Sequence, residues 1–243
     1  MKKLLLPIVM LLLVAAGCQP KDPNEVDVET YTLCDSVFIE SEYREGYSRF
    51  NVSLDLPVTK NQTLRQNILH WMLSDETTDH VSYLESMRDD FFEEDGSEPR
   101  SEYEENYSLS EQTDKYVTYT TEGFVYTGGA HEMPWYNGTT FSKIDGSIVG
   151  YDLFEEPERL IDLIAENVEK QYFAKYAEDD LFLEYEEITS LPFNEPWIET
   201  DSVVFCFQPY EIASYAAGIP LCKIALTDLQ PYLSEKGKTL LNP

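Results

Sequence analysis

The residues best suited to acid–base chemistry are His131 and Glu132, which follow the pair Gly128-Gly129 closely. An imidazole titrates near neutral pH and can act as a general base when a carboxylate lies within hydrogen-bond reach. Adjacent side chains on a strand point to opposite faces, so Glu132 cannot be that carboxylate, and Glu122 or Glu211 could serve only through the fold. The favoured interpretation is that His131 stabilises the bend at the glycine pair.

Other common catalytic and metal-binding signatures are missing from the sequence. The chain has 3 His, none spaced with another as in the H-E-x-x-H zinc motif, and it has neither a G-x-S-x-G elbow nor a glycine-rich phosphate loop. We therefore predict no metal and no cofactor. An enzyme that acts on peptidoglycan or another envelope polysaccharide, through carboxylates near His131, stays open as the alternative because such chemistry needs no sequence motif.

A second conspicuous stretch runs from Gln208 to Gly218 and reads QPYEIASYAAG. It holds two tyrosines and a glutamate among small residues, and aromatic side chains are favoured in recognition because they combine large contact area with few rotatable bonds. From this stretch and the glycine-pair region we predict no catalytic residue and eight binding residues: Tyr126, Gly128, Gly129, His131, Trp135, Tyr210, Glu211 and Tyr215.

The N-terminus has the pattern of a secretion signal. Lys2 and Lys3 precede the apolar run Leu4 to Val14, and Ala15-Ala16-Gly17-Cys18 forms a small-residue cleavage site that ends on cysteine. This pattern resembles a bacterial lipobox, which implies a signal peptide over 1–17, a lipidated Cys18 and a polar tether over 18–26; an ordinary secretory signal is the alternative. We expect a cell-envelope protein held to a membrane by its lipid, facing the periplasm or the cell exterior.

The charge of the chain restricts its partners. There are 17 Lys and Arg against 46 Asp and Glu, which gives a net charge of -29. Such a field repels phosphate backbones and attracts cationic proteins. We therefore predict that nucleic acid is not a partner and that a basic protein is a better candidate.

The cysteines fit an extracytoplasmic protein. Lipidation at Cys18 leaves Cys34, Cys206 and Cys222. The last two fall in neighbouring predicted strands, so they are the favoured disulfide pair. Three buried free thiols are the alternative.

The elements that position these residues can be read from periodicity. Residues 27–58 alternate between apolar and polar as in two strands, and residues 61–92 have helical spacing behind cap candidates Asn61 or Thr63 and Asp79. Strands follow over 103–148, a helix begins near Pro157, and two strands lie within 201–226. This order predicts an α+β fold: an antiparallel meander with helices packed on one face, in two interlocked sub-domains over 27–100 and 101–229, with a frayed tail over 230–243.

Two motifs resemble a known family. Tyr126-Thr-Gly-Gly-Ala-His131 and the stretch from Phe207 to Pro220 are similar to the extracytoplasmic domain shared by the anti-sigma factor RsiV and the peptidoglycan deacetylase PdaC, and residues 27–100 are similar to the PdaC-like domain that precedes it. The resemblance implies an α+β binding domain without catalytic residues of its own. It also implies a lysozyme-like cationic protein or a peptidoglycan fragment as partner. We therefore expect a non-enzymatic envelope lipoprotein that binds an extracytoplasmic protein or glycan.

Overall fold

The computed structural model describes residues 24–42, 44–73, 77–174 and 185–241. They form two compact units that interleave along the chain. Unit 1 runs to Ser108 and includes Thr121–Pro134; unit 2 comprises Leu109–Thr120 and the chain from Trp135 onward. The predicted α+β class with two interlocked parts is confirmed, while the boundaries predicted from the sequence stay predictions.

Unit 1 begins with a long hairpin and two helices. Strands β1 (Asp27–Glu40) and β2 (Glu45–Val58) pair antiparallel over their whole length, and they are followed by helices α1 (Gln62–Met72) and α2 (His80–Glu93). The strict alternation in β2 places Phe50, Val52 and Leu54 in the core and leaves the residues between them on the outward face. Phe91 of α2 packs on Phe50 with ring centroids 5.9 Å apart, so the helix covers that inner face.

Both predicted helix starts are capped by side chains. The Asn61 carboxamide oxygen accepts from the Leu64 N–H at 3.1 Å, and the Asp79 carboxylate accepts from the Ser82 N–H at 3.3 Å. These bonds satisfy amide donors that a helix start leaves free. The cap residues therefore set where the two helices begin.

The main sheet has six strands in the order β1-β2-β3-β4-β5-β6. Its later strands are β3 (Glu102–Gln112), β4 (Tyr116–Tyr126), β5 (Met133–Ser142) and β6 (Ile148–Val149). The predicted antiparallel sheet is present and mostly antiparallel, but the strands β2 and β3 within it are parallel. The reason is that α1 and α2 lie between them, and a long crossover can return the chain in the same direction whereas a hairpin cannot.

Unit 2 adds helices and a second sheet. A 3-10 turn at Pro157–Leu160 leads into helix α3 (Ile161–Val168), which continues as a π-helix over Glu169–Phe173. The strands β7 (Trp197–Glu199), β8 (Ser202–Cys206) and β9 (Leu221–Ala225) form an antiparallel sheet. One face packs in the core with Ile164 and Val168, while on the other the buried Trp197 lies so close to Gly138 that an added Cβ would meet its ring at 2.4 Å.

Both ends of the described chain are more ordered than the sequence predicts. Asn24 accepts a hydrogen bond from Asn61 at 3.0 Å and Val26 is fully buried, although both belong to the predicted tether. At the other end, α4 (Leu226–Leu229) is followed by α5 (Glu235–Leu241), where Leu240 is buried, so the prediction of a frayed tail over 230–243 is wrong for the residues of α5. Over the described ranges, no helix has the length and apolar character needed to cross a membrane.

Candidate functional site

The loop between β8 and β9 contains three of the predicted binding residues and has an unusual backbone. Tyr210 has φ of +69° and Gly218 has φ of +77°. A left-handed conformation is costly for a residue with a Cβ, and such positions concentrate at functional sites. Tyr210 is 57% exposed, and its ring lies 6.4 Å from that of Tyr215. The loop therefore exposes the Tyr210 side chain to solvent, although the backbone conformation of that residue is energetically unfavourable.

Glu211 fixes this loop to a second segment. One carboxylate oxygen accepts from the Gln208 N–H and the other from the Phe193 N–H, each at 2.8 Å. The second bond places Phe193 beside the loop, with 85% of its surface exposed. Sequence reasoning missed Phe193, because a single phenylalanine is usually a core residue; the prolines at 192 and 196 were the available sign of a surface segment.

A second carboxylate, that of Glu195, is fixed two residues after Phe193. The Glu195 carboxylate accepts from the Tyr151 N–H at 2.6 Å, and the Tyr151 hydroxyl donates to the Pro192 carbonyl at 2.9 Å. Burial, followed by the charges of Glu195 and Glu211, raises the pKa of Tyr151 above its usual range. The charges of both carboxylates therefore act on the Tyr151 side chain. We call Phe193, Tyr210, Tyr215, Glu195 and Glu211 the aromatic–acidic surface.

The π-helix after α3 contacts the loop that carries Tyr210, Glu211 and Tyr215. The Tyr172 hydroxyl donates to the Ala217 carbonyl at 2.5 Å, next to Gly218. Phe173 stacks on Tyr185 with ring centroids 4.0 Å apart, and the Tyr185 backbone forms a bridge to Ala213 in the loop. A π-helix inserts one extra residue into a helical turn and is frequent at functional sites. Here it directs two consecutive aromatic residues toward the loop.

Two glutamine side chains form hydrogen bonds with the backbone of strands β5 and β9. The Gln208 amide donates to the Tyr136 carbonyl at 2.7 Å and accepts from the Tyr136 N–H at 3.4 Å. The Gln171 amide does the same for Lys223, with distances of 2.9 and 3.0 Å. Each side chain pairs with a strand as a peptide group would. The first pair connects the loop to β5, where the predicted binding residue Trp135 is partly exposed.

The other predicted binding residues lie in unit 1, at the turn between β4 and β5. Gly128 and Gly129 have φ of +104° and +101°, as a glycine-dependent turn requires. The Tyr126 hydroxyl donates to the Gly129 carbonyl at 3.2 Å, and Nδ1 of the exposed His131 lies 2.9 Å from the Glu132 carbonyl oxygen. These contacts agree with the structural interpretation of His131. The eight predicted residues thus divide between the two units.

The favoured disulfide is not present in the structure. Cys34, Cys206 and Cys222 are all free thiols, the first exposed and the other two buried. Cys222 lies opposite Phe205 in the register, so Cys206 and Cys222 point to opposite faces of the sheet. Burial raises the pKa of both buried thiols to about 12. This keeps them protonated and unreactive.

The described residues offer no metal centre, since no group of three or more His, Cys, Asp or Glu within them is placed to hold an ion. Cys18, the predicted lipidation site, lies outside the described residues. The aromatic–acidic surface has the features of a recognition site: exposed rings, fixed carboxylates and a backbone held from two sides.

Comparisons with known proteins relate this part of the chain to a family without an assigned function. Residues 151–226 match the family described as "Protein of unknown function (DUF3298)", a range that contains the whole aromatic–acidic surface. No curated protein matches. A solved member of the DUF3298 family from Bacteroides fragilis NCTC 9343 is similar with a TM-score of 0.71 and 15% identity, over 90% of this chain and 98% of that one.

A DUF3298 family protein from Pseudomonas aeruginosa PAO1 is also similar, with a TM-score of 0.58 and 17% identity, over 86% of this chain and 95% of that one. At identities this low, the structural similarity shows a shared fold and nothing more. The similarity extends well beyond residues 151–226, so most of the chain has the fold of these DUF3298 proteins.

Proposed function

We propose that this chain, which carries a DUF3298 region within a DUF3298-type fold, is a non-enzymatic cell-envelope lipoprotein that binds a basic extracytoplasmic protein of the lysozyme kind. The observation that carries the proposal is the aromatic–acidic surface, where Phe193 and Tyr210 are 85% and 57% exposed and the Glu211 carboxylate is fixed by the backbone N–H groups of Phe193 and Gln208. Large aromatic side chains so placed are typical anchors of protein interfaces.

The chemistry of this surface favours a cationic partner. An arginine or lysine side chain can lie over an aromatic ring while it pairs with a neighbouring carboxylate. A sugar ring can also stack on exposed aromatic residues, but a neutral sugar makes no use of Glu195 and Glu211. The net charge of -29 adds long-range attraction for a basic protein, which accelerates association and makes it sensitive to salt.

The envelope location rests on the sequence pattern that ends at Cys18. The resemblance of the Phe207 to Pro220 stretch to the RsiV and PdaC domain adds support for extracytoplasmic recognition, because RsiV uses this domain to bind lysozyme. A lipid on Cys18 would hold the binding surface at a membrane through a short tether.

Binding to lysozyme tests the proposal directly. Purified protein and lysozyme are mixed at low and at moderate salt, and the dissociation constant is measured by calorimetry. We expect a complex that weakens as salt rises, because the attraction is largely electrostatic. The absence of a complex at both salt concentrations would exclude a lysozyme partner.

A pair of variants tests which surface carries the binding. Phe193→Ser with Tyr210→Ser should weaken the complex by roughly thirtyfold to several hundredfold, as expected for two anchor residues of ~1–2 kcal/mol each. The matched control is Ile144→Ser with Ile148→Ser, which removes two exposed apolar side chains elsewhere in unit 2. Equal weakening by both pairs would contradict the assignment.

The enzymatic alternative has its own measurement. Purified protein incubated with peptidoglycan should release no muropeptides, and the His131→Ala variant should behave identically. Turnover that disappears in His131→Ala would replace the binding proposal with a catalytic one.

A further inference from the structure

The outward face of the β1–β2 hairpin in unit 1 carries a second exposed aromatic pair. Phe38 and Tyr47 lie directly opposite each other in the register. Their rings meet edge to face, with centroids 5.3 Å apart and an interplanar angle of 67°. They are 39% and 51% exposed, even though the inner face of the same hairpin has a well-packed core available. A cross-strand aromatic pair left on the solvent side of a sheet presents apolar area and ring faces to a partner.

The charges beside this pair are mainly negative. Two rungs further toward the end of the hairpin, on the same face of the strand pair, Glu40 lies directly opposite Glu45, and both are exposed. Like charges in that position destabilise a strand pair, so this arrangement costs stability when the protein is alone. A cation placed between the two carboxylates would remove that cost.

Positive groups near the pair do not cancel this field. Two rungs away from the aromatic pair in the other direction, the Arg49 guanidinium lies 3.9 Å from the Glu102 carboxylate of β3. Arg44 lies in the turn beyond Glu40, together with Glu42. A third arginine, Arg100, lies against Gly46, where an added Cβ would meet its side chain at 2.9 Å. The hairpin end therefore has three glutamates against two arginines that are not paired with Glu102, and its field stays negative.

We propose that Phe38, Tyr47, Glu40 and Glu45 form a second recognition surface, which takes an arginine- or lysine-bearing segment of a protein partner. A basic side chain lying over the Phe38–Tyr47 pair gains a cation–π contact, and its charge lies between the opposed carboxylates. None of these residues belongs to the aromatic–acidic surface. The proposal for the hairpin can therefore be tested independently of the function proposed for unit 2. The fit is to a basic protein segment, because a neutral ligand would leave the glutamate repulsion in place.

The test uses an arginine-rich peptide as probe and the purified full chain. Peptide is titrated at low salt while the aromatic NMR signals of Phe38 and Tyr47 are followed. We expect both signals to shift, and the variant Glu40→Gln with Glu45→Gln to weaken the interaction by roughly threefold to tenfold, as for the loss of two exposed ion pairs. These substitutions are conservative in size and lie on the surface, so folding should be preserved.

A matched variant separates this surface from general charge attraction. Asp90→Asn with Glu93→Gln removes the same charge from exposed positions of α2 in the same unit. If it weakens the interaction as much as the hairpin variant, or if the Phe38 and Tyr47 signals do not move, the proposal is overturned.

Combining the probe with the variants of unit 2 distinguishes the two surfaces. In Phe193→Ser with Tyr210→Ser, the peptide should still shift the Phe38 and Tyr47 signals. Loss of those shifts would refute an independent hairpin site, whereas a failure to bind lysozyme with the shifts intact would count against the proposed function only.

Discussion

Replacing Glu211 with alanine removes the acceptor of two backbone N–H groups at once. Both bonds are 2.8 Å long, which is within the range of charge-assisted hydrogen bonds. Such bonds contribute about 1.5–3 kcal/mol each when buried, and the partial exposure of Glu211 lowers this to about 1–1.5 kcal/mol each because water can replace the carboxylate. We therefore expect the free energy of unfolding to fall by ~2–3 kcal/mol.

Glutamine at position 211 should have an intermediate effect. Its carbonyl oxygen can still accept from one of the two N–H groups, but its NH2 group faces the other donor. About half of the loss is therefore expected, ~1–1.5 kcal/mol. Affinity for lysozyme should fall in the same order, alanine below glutamine below wild type, because Phe193 and Tyr210 lose their common anchor.

The assay is urea unfolding followed by tryptophan fluorescence, since Trp135 and Trp197 lie in the same unit as Glu211. The control is Glu166→Ala, which removes an exposed carboxylate from α3 and so corrects for the change in net charge. If Glu211→Ala unfolds within ~0.5 kcal/mol of this control, Glu211 does not hold the two segments together.

Three further predictions concern packing, pH and thiol reactivity. Gly138→Ala should lower the free energy of unfolding by ~1–3 kcal/mol in urea unfolding, because the new Cβ meets the buried Trp197 ring at 2.4 Å; a loss under ~0.5 kcal/mol would show that the ring can move aside. Burial lowers the pKa of His80 below 6.5, so the unfolded chain binds more protons below that value and stability falls as the pH falls. The stability advantage of wild type over His80→Gln should therefore shrink between about pH 7.5 and 5.5, and an unchanged difference would contradict this. In mass spectrometry after iodoacetamide treatment of the folded protein, Cys34 should be modified while the two buried thiols of β8 and β9 react only after denaturation; equal labelling rates would show that the sheet opens readily.

Local patterns in the sequence predicted local structure well. The alternation through Phe50, Val52 and Leu54 gave the strand and its buried face, because one side of the hairpin has to cover a core. Asn61 and Asp79 marked the starts of two helices, because their short acceptors satisfy amides at a helix start. The glycine pair at 128 and 129 marked a turn that only positive φ permits.

Features set by distant contacts could not be read in the same way. The parallel pairing of β2 with β3 depends on where the chain returns after two helices. The side of the sheet to which Cys222 points depends on its pairing with Phe205, so two cysteines in adjacent strands did not imply a disulfide. The sequence singled out Tyr210, Glu211 and Tyr215 as candidates, but it could not show that Phe193 is joined to Glu211 by a hydrogen bond between positions 18 residues apart.

The amide groups of Gln171 and Gln208 have a consequence for association between copies of the protein. An open strand edge is a template on which another chain can grow a continuous sheet. At Lys223 and at Tyr136 a glutamine side chain of the same molecule already pairs with the strand edge. The side chain supplies one donor and one acceptor, and it has no further backbone with which another strand could pair. A glutamine used in this way ends a sheet at little structural cost, so both positions are protected against self-assembly.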